Sequence, residues 1–200
     1  MDTIKTIEKR RSIRNFDASF QIPELELREL IRLASLSPTS FNIQHWKFVV
    51  VTDMELRAKI KKAAMDQQQV TDASVLIIIC SDVHAWRKNM NAKWKNVPEK
   101  IGTFMVNSTM QFYNGREQLQ RDEAIRSASL ATQTLLLAAT ALGYESGPMV
   151  GFDFEQVAKL INLPKDYIIS NFVVIGKGIQ DAMPRGGQLQ LEEIFIKNKF

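Results

Sequence analysis

The stretch Val75-Leu-Ile-Ile-Ile-Cys80 is apolar along its whole length and rich in β-branched residues. Such a run is typical of a strand that is covered on both faces, because a half-exposed strand alternates polar and apolar residues. Two further β-rich stretches, Lys47–Val51 and Ile168–Gly176, predict strands that can join it in one sheet. The sequence therefore places a small buried sheet at the centre of the fold.

Helical patterns surround these strands. The stretch Glu123–Leu142 is apolar nearly all round, which indicates burial in a core or in a subunit interface, and Gly143 stands where a helix would end. Thr52-Asp53-Met54-Glu55 has the spacing of a capping box and predicts that a helix begins there. Further helices are predicted over Thr3–Arg10, Pro23–Ser35 and Asp153–Ile161. The fold class is therefore α+β, with a small mixed or antiparallel sheet wrapped by helices.

Length and composition indicate one globular domain that spans residues 1–200. The chain is 45% hydrophobic, carries a formal charge of +4 and has one cysteine, so it is not disordered and has no internal disulfide. Its basic residues form short groups rather than one stripe, which argues against a nucleic-acid partner. The longest apolar run, Val75–Cys80, is far below the ~18 residues of a membrane span, so we expect no membrane partner and a cytoplasmic location.

Two segments stand apart from the sheet and its helices. Residues 84–122, here called the cap, are polar, contain Met and Trp, and predict a helical excursion. Its aromatic residues either pack the cap or stack a planar substrate; they are Trp86, Trp94, Phe104 and Tyr113. Residues 187–200, here called the C-terminal arm, include Gln188–Ile196, which alternates like a strand but has no neighbour in sequence to pair with. It is either a strand that reaches another subunit or a frayed tail.

Most catalytic machineries are excluded by the residues present. His45 and His84 are the only histidines, and no Gly-x-Ser-x-Gly elbow is present. Cys80 lies in the apolar strand, where a thiol is usually inert, and the His and Cys residues lack metal-ligand spacing, so no metal site is predicted. The chain has neither a phosphate-binding P-loop nor a Gly-x-Gly-x-x-Gly fingerprint. We therefore expect any catalysis to be carried by a cofactor.

Three polar segments remain that fit a cofactor. In the arginine segment, Arg10-Arg-Ser-Ile-Arg-Asn-Phe16, alternation along an extended chain puts Arg10, Ser12 and Arg14 on one side, where they can grip an anion. The amide turn, Ser37–Trp46, is rich in amides and hydroxyls that can meet the edge of a heterocycle. The glycine loop, Ser146–Asp153, can bring backbone amides close to a ligand.

The ordered motifs of these segments resemble the nitroreductase family of flavoproteins. They are Arg10-Arg-Ser-x-Arg-x-Phe16, Ser37-Pro-x-Ser-x-Asn-x-Gln-x-Trp46, Gly147-Pro-Met-x-Gly-Phe-Asp153, and Gly176 with Pro184-Arg185. The resemblance implies an FMN-dependent homodimer whose two flavin sites lie at the subunit interface. It also implies that NADH or NADPH donates electrons to a small-molecule acceptor, such as a nitroaromatic compound or a quinone, by a ping-pong hydride route.

The resemblance also implies residue roles. Arg10, Ser12 and Arg185 would hold the FMN phosphate and ribityl chain, and Arg14 would reach the pyrimidine edge. From the partner subunit, the contacts would come from Pro38, Ser40, Asn42 and Gln44. Near the flavin N5 would lie Gly151 and the Val150 amide, where many members of the family have Glu instead of Val. Further contacts implied by the motifs are Arg11, Thr39, Gln67, Gln69, Pro148, Met149 and Lys177.

Two other functions remain open at this stage. One is a relative that keeps FMN but fragments the flavin or desaturates a ring. The other is a flavin-binding protein without turnover, which would act as a sensor or a store.

Overall fold

The computed structural model describes residues 2–200 and has the predicted α+β architecture. The strands are β1 (Trp46–Val51), β2 (Val75–Asp82), β3 (Glu145–Met149) and β4 (Tyr167–Gly176). The helices are α1 (Thr3–Lys9), α2 (Glu24–Ala34), α3 (Met54–Ala63), α4 (Gln69–Asp72), α5 (Met90–Lys93), α6 (Glu99–Tyr113), α7 (Glu117–Ala141), α8 (Phe154–Leu160) and α9 (Leu191–Ile194).

The sheet has the strand order β1-β2-β4-β3, and every neighbouring pair is antiparallel. All residues of β2 are buried, as the apolar run predicts. Ile77 and Ile79 pack into a cluster with α2 and α7, whereas Leu76 and Ile78 pack into a second cluster with α3 and α8 on the opposite face. Burial of both faces therefore explains why the strand is apolar at every position.

Two helix starts differ from the sequence-based expectation. The N-cap of α3 is Asp53 rather than Thr52, and its carboxylate accepts hydrogen bonds from Glu55 N (2.9 Å) and Leu56 N (3.4 Å). Helix α7 begins at Glu117, six residues before the predicted start, because its first turns are polar and carry no apolar signal. Within residues 2–200, no helix combines the length and apolarity needed to cross a membrane.

The strand, one of the two alternatives for the C-terminal arm, is not what the chain forms. The arm contains the short helix α9, closed by a capping box between Gln190 and Glu193, whose carboxylate accepts a hydrogen bond from Gln190 N (2.8 Å). Alternation alone cannot form a strand without a neighbour, and local capping then decides the conformation. The whole arm is exposed in this chain.

The arginine segment is fastened to the sheet by backbone hydrogen bonds. Ile13 N donates to Ser146 O (2.9 Å), and just after the end of the segment Asp17 N donates to Lys177 O (2.8 Å). A Cβ atom at Gly147 would lie 2.6 Å from Ile13 O, which is closer than two such atoms can approach. Glycine at position 147 is therefore what lets the arginine segment lie against β3.

We expect Gly147→Ala to destabilise the protein by roughly 1–3 kcal/mol, since a backbone carbonyl must move to make room. At about 2–4 °C of melting temperature per kcal/mol for a chain of this size, thermal denaturation measures the effect. Gly186→Ala is the matched control, because nothing lies within 4 Å of a Cβ there. Equal melting temperatures for the two variants would contradict the packing argument.

Candidate functional site

A cleft of about 350 Å³ brings the arginine segment together with the chain that follows β4. Its two walls come from opposite ends of the sequence. The lining residues are Arg10, Arg11, Ser12, Arg14, Asn15, Gln180, Asp181, Ala182, Met183, Arg185, Gly186 and Gln188. We call it the arginine cleft.

Direct hydrogen bonds hold the two walls in place. Arg185 Nη2 donates to the backbone oxygens of Glu8 (3.1 Å) and Arg10 (3.4 Å). The Arg11 guanidinium donates to the Met183 carbonyl, and Asn15 Nδ2 donates to Gln180 Oε1 (2.8 Å) across the cleft. These contacts hold the Arg11 and Arg185 guanidinium groups against the opposite wall of the cleft.

The cleft is strongly basic. Four arginines line it, whereas Asp181 is the one acidic residue in the lining. Within residues 2–200, no carboxylate lies within 4.0 Å of any of these four guanidinium groups. Guanidinium groups match phosphate oxygens with paired donors, so the cleft has the charge and chemistry of a phosphate site.

A larger cleft of about 550 Å³ lies beside it and shares Arg11, Gln180, Asp181 and Ala182 with it. Its charges are mixed, because Glu145 faces the cations of its lining. The Glu145 carboxylate already accepts a hydrogen bond from Gly178 N (3.1 Å). Size alone does not identify a binding site, and the smaller cleft is the better match for an anion.

The glycine loop lies against the segment that carries Gln67. Gln67 Nε2 donates to Gly151 O (2.9 Å) and to Ala64 O (3.1 Å), and Gln69 Nε2 lies 3.3 Å from Gln67 Oε1. The Gln67–Gln69 segment and the glycine loop, both of which the resemblance places at the flavin, are thus in contact within one chain. The Val150 side chain is 66% exposed next to them.

The other residues of the predicted set divide between core and surface. The Met149 side chain is buried in the core, so that residue can offer a ligand only its backbone, whereas Pro148 is exposed. Lys177 lies outside the lining of the arginine cleft, and its ammonium is 3.8 Å from the Asp17 carboxylate.

The amide turn adopts an unusual backbone. Phe41, Asn42 and Gln44 have φ angles of 48°, 53° and 53°, in the left-handed region, which costs roughly 1–2 kcal/mol per non-glycine residue. Inside the turn, Gln44 N donates to Thr39 Oγ1 (3.1 Å). No residue of the turn lines the arginine cleft of its own chain. The turn is therefore held in a costly conformation away from that cleft.

The cap is built on the amide turn. Tyr113 OH donates to Ser40 Oγ (2.7 Å), and the Tyr113 and Trp86 rings are buried in the cluster between turn and cap, so they pack the cap. Trp94 is half-buried there, whereas Phe104 is 67% exposed and remains available to a planar ligand. The structure thus separates packing aromatic residues from a free one.

The buried His45 and Cys80 side chains carry no charge near neutral pH. Burial lowers the pKa of His45 to about 4 and raises the pKa of the Cys80 thiol to about 12. Burial also lowers the pKa of Lys93 to about 8, although Asp82 opposes that shift. His45 is thus a neutral core residue and Cys80 a protonated one, and neither provides an acid, base or nucleophile.

The sequence motifs identified Arg185 in the second wall of the cleft but missed its other polar residues and one anchor of the amide turn. Gln180 and Gln188 line the cleft and Lys93 contacts the turn, although none of them belongs to a motif; Asn15 occupies a variable position of the arginine motif. The only other sequence feature that indicated the second wall was Gly178, a glycine at the point where the chain passes close to Ile13. Periodicity cannot show which distant segments cross.

Comparison with known proteins gives a consistent result. The Nitroreductase family pattern matches residues 7–177. Protein DrgA of Synechocystis sp. is 46% identical over 182 residues, which cover 91% of this chain and 87% of that protein. The oxygen-insensitive NADPH nitroreductase of Helicobacter pylori strain 26695 is 26% identical over 198 residues, which cover 94% and 93%.

A solved structure shows the same fold. A protein of Exiguobacterium sibiricum, crystallised in complex with FMN, superposes with a TM-score of 0.92 at 27% identity and covers 99% of this chain and 98% of its own. Together with the match over residues 7–177, the likeness confirms the family suggested by the sequence motifs. The chain therefore belongs to the nitroreductase family of oxidoreductases.

Proposed function

We propose that this protein binds FMN and uses NADH or NADPH to reduce nitroaromatic compounds, quinones or related acceptors. The observation that carries the proposal is the arginine cleft, with four guanidinium groups and no carboxylate partner for them in residues 2–200. The oxidoreductase family and the FMN complex of a structural neighbour support the same conclusion.

The residues present fit FMN. A phosphate monoester carries about −1.5 to −2 charges at neutral pH, which the arginine cleft can neutralise. Arg10 and Arg185 line the same cleft, and Arg185 Nη2 donates to the Arg10 carbonyl, which holds the Arg185 side chain beside the backbone of the arginine segment. Ser12 is exposed in the same lining and offers a hydroxyl to the ribityl chain.

In the proposed mechanism the cofactor would carry the redox chemistry, and the protein would bind and orient it. Bound FMN would supply hydride and electron transfer, with NAD(P)H and the acceptor using it in turn by a ping-pong mechanism. Arg14 would place a positive charge at the flavin's pyrimidine edge and so favour added negative charge there. The Gly151 backbone, held by Gln67, would border the ring without adding an ionisable group.

We infer that the protein works as a homodimer whose amide turn serves the partner's flavin. The amide turn lines no part of its own cleft, which leaves it free to serve a second one. Twelve of the 25 residues of α7 are buried within its own chain, so that much of the helix needs no second subunit to cover it. The outer edge of β1 is unpaired in residues 2–200, and the C-terminal arm exposes Phe195 and Ile196. An exposed apolar arm and a free sheet edge are surfaces that a second copy can cover.

Absorbance and turnover test the proposed function. We expect purified protein, as isolated or after reconstitution, to hold about one FMN per chain and to oxidise NADH or NADPH when a quinone or a nitroarene is added. Flavin that binds without turnover would favour a sensor or store, and loss of the flavin during turnover would favour a flavin-fragmenting relative. Failure to take up FMN would exclude the proposal.

The arginine cleft can be tested by substitution. Arg10→Ala and Arg185→Ala should each weaken FMN binding by about ten- to a hundred-fold, because a charge-assisted hydrogen bond to phosphate contributes roughly 1.5–3 kcal/mol. Arg28→Ala is the matched control, since the Arg28 side chain is exposed on α2, pairs with Glu24 and lies outside the cleft. Flavin titration measures all three. Unchanged affinity in both cleft variants would show that the phosphate binds elsewhere.

The dimer can be tested through the arm. Truncation before Gly187 should loosen the dimer and release FMN together, but it also removes Gln188 from the cleft. Phe195→Ser avoids that complication, because Phe195 is 61% exposed and lies outside the lining. Sedimentation with flavin fluorescence across a dilution series measures both effects, and Leu25→Ser, an exposed apolar residue of α2, is the control. A monomer that keeps FMN tightly bound would refute the shared site.

A further inference from the structure

Lys93 anchors the amide turn to the cap, in addition to the hydrogen bond from Tyr113 to Ser40. Its ammonium donates to the backbone oxygens of Ile43 (2.5 Å) and Ala85 (3.0 Å). Its own backbone oxygen accepts a hydrogen bond from Asn42 Nδ2 (2.8 Å). Side chain and main chain of Lys93 therefore hold two neighbouring residues of the turn from one side.

The ammonium is used on carbonyl groups alone. Within residues 2–200, no carboxylate lies within 4.0 Å of Lys93 Nζ, although the side chain is half-buried. Removing an ammonium from water is unfavourable unless its donors are satisfied, and here the backbone oxygens of Ile43 and Ala85 satisfy two of them. The Lys93 ammonium therefore keeps its position only while the turn presents the Ile43 oxygen to it.

The bond from Asn42 to Lys93 also fixes the orientation of the next amide. A backbone carbonyl can only accept, so the atom of Asn42 that faces Lys93 O must be the nitrogen. Asn42 Oδ1 then points at Gln44 and accepts from Gln44 Nε2 (2.9 Å). Gln44 in turn must present its oxygen outward. Gln44 is exposed, and its Oε1 accepts no hydrogen bond from residues 2–200.

We propose that Lys93 and Asn42 are positioning residues that orient Gln44, so that Gln44 Oε1 accepts a hydrogen bond from a ring N–H of the flavin. The inference rests on the proposed function, since it takes FMN as the ligand. Oxidised isoalloxazine has one ring N–H, at N3, so the predicted contact is specific. Asn42 then acts on the flavin through Gln44, and the cap controls the orientation of both amides through Lys93.

A flavin analogue that lacks the donor gives the sharpest test. The wild-type protein, freed of flavin and titrated, should bind FMN about tenfold more tightly than N3-methyl-FMN. This difference is the affinity expected from one hydrogen bond. In Gln44→Met the two ligands should bind equally. Asn42→Ala and Lys93→Met should also lose the preference, because each removes a hydrogen bond that holds the Gln44 amide in its orientation. Lys95→Met, a change to an exposed lysine two residues away, should retain it.

The outcomes separate this inference from the proposed function. FMN binding without preference in the wild type would overturn the Gln44 contact and leave the proposed function standing. A preference kept in Lys93→Met or Asn42→Ala would overturn the positioning roles. Should the wild type bind no FMN, the proposed function fails and the contact to the flavin fails with it.

The flavin-free protein supplies a readout that does not depend on binding. The side-chain amide protons of Asn42 and Gln44 should exchange slowly with solvent in the wild type and at least tenfold faster in Lys93→Met. Lys93→Arg, which keeps a cation and its donors, should restore part of the protection. Equal exchange in wild type and Lys93→Met would show that Lys93 does not hold the turn, while melting temperatures report any general loss of the fold.

Discussion

The hydrogen bond from Ile13 N to Ser146 O is the constraint on which the arrangement of the site depends. It fastens an otherwise irregular segment to a sheet whose interior is fully buried. Because Gly147 has no side chain, the two backbones can approach closely enough for that bond to form. The bond therefore holds the backbone of Arg10, Arg11 and Arg14 against the sheet. Their side chains are long and flexible, so a fixed backbone limits where the guanidinium groups can reach.

The cap and the amide turn form a second unit, which is held together by side-chain hydrogen bonds rather than by the sheet. The turn keeps three left-handed residues, and it does so because groups outside it bind its backbone and side chains. Tyr113 and Lys93 supply those contacts from different helices of the cap. A change in cap position is therefore transmitted directly to the amides of the turn, without passing through the sheet.

Local patterns predicted the local parts of this molecule. The apolar run at Val75–Cys80, the capped start of α8 at Asp153 and the glycine stop at Gly143 were each visible because the signal and its cause lie within a few residues. The arm was misread for the same reason, since alternation is local whereas strand pairing is not. Of the candidate site, the arginine wall and Arg185 of the opposing wall were visible as motifs, but Gln180 and Gln188 of that wall were not. Nothing in the sequence shows that these residues fold back across Asn15.

The arginine cleft joins residues that are far apart in the chain: the bond from Arg185 to Glu8 spans 177 positions. During synthesis the first wall leaves the ribosome long before the second has been made. An anion can therefore meet single arginines on the growing chain but cannot find the assembled cleft. Under the proposed function, cofactor loading would wait until Arg185 and its neighbours have been synthesised, and a bound phosphate would then link two segments that are far apart in the chain.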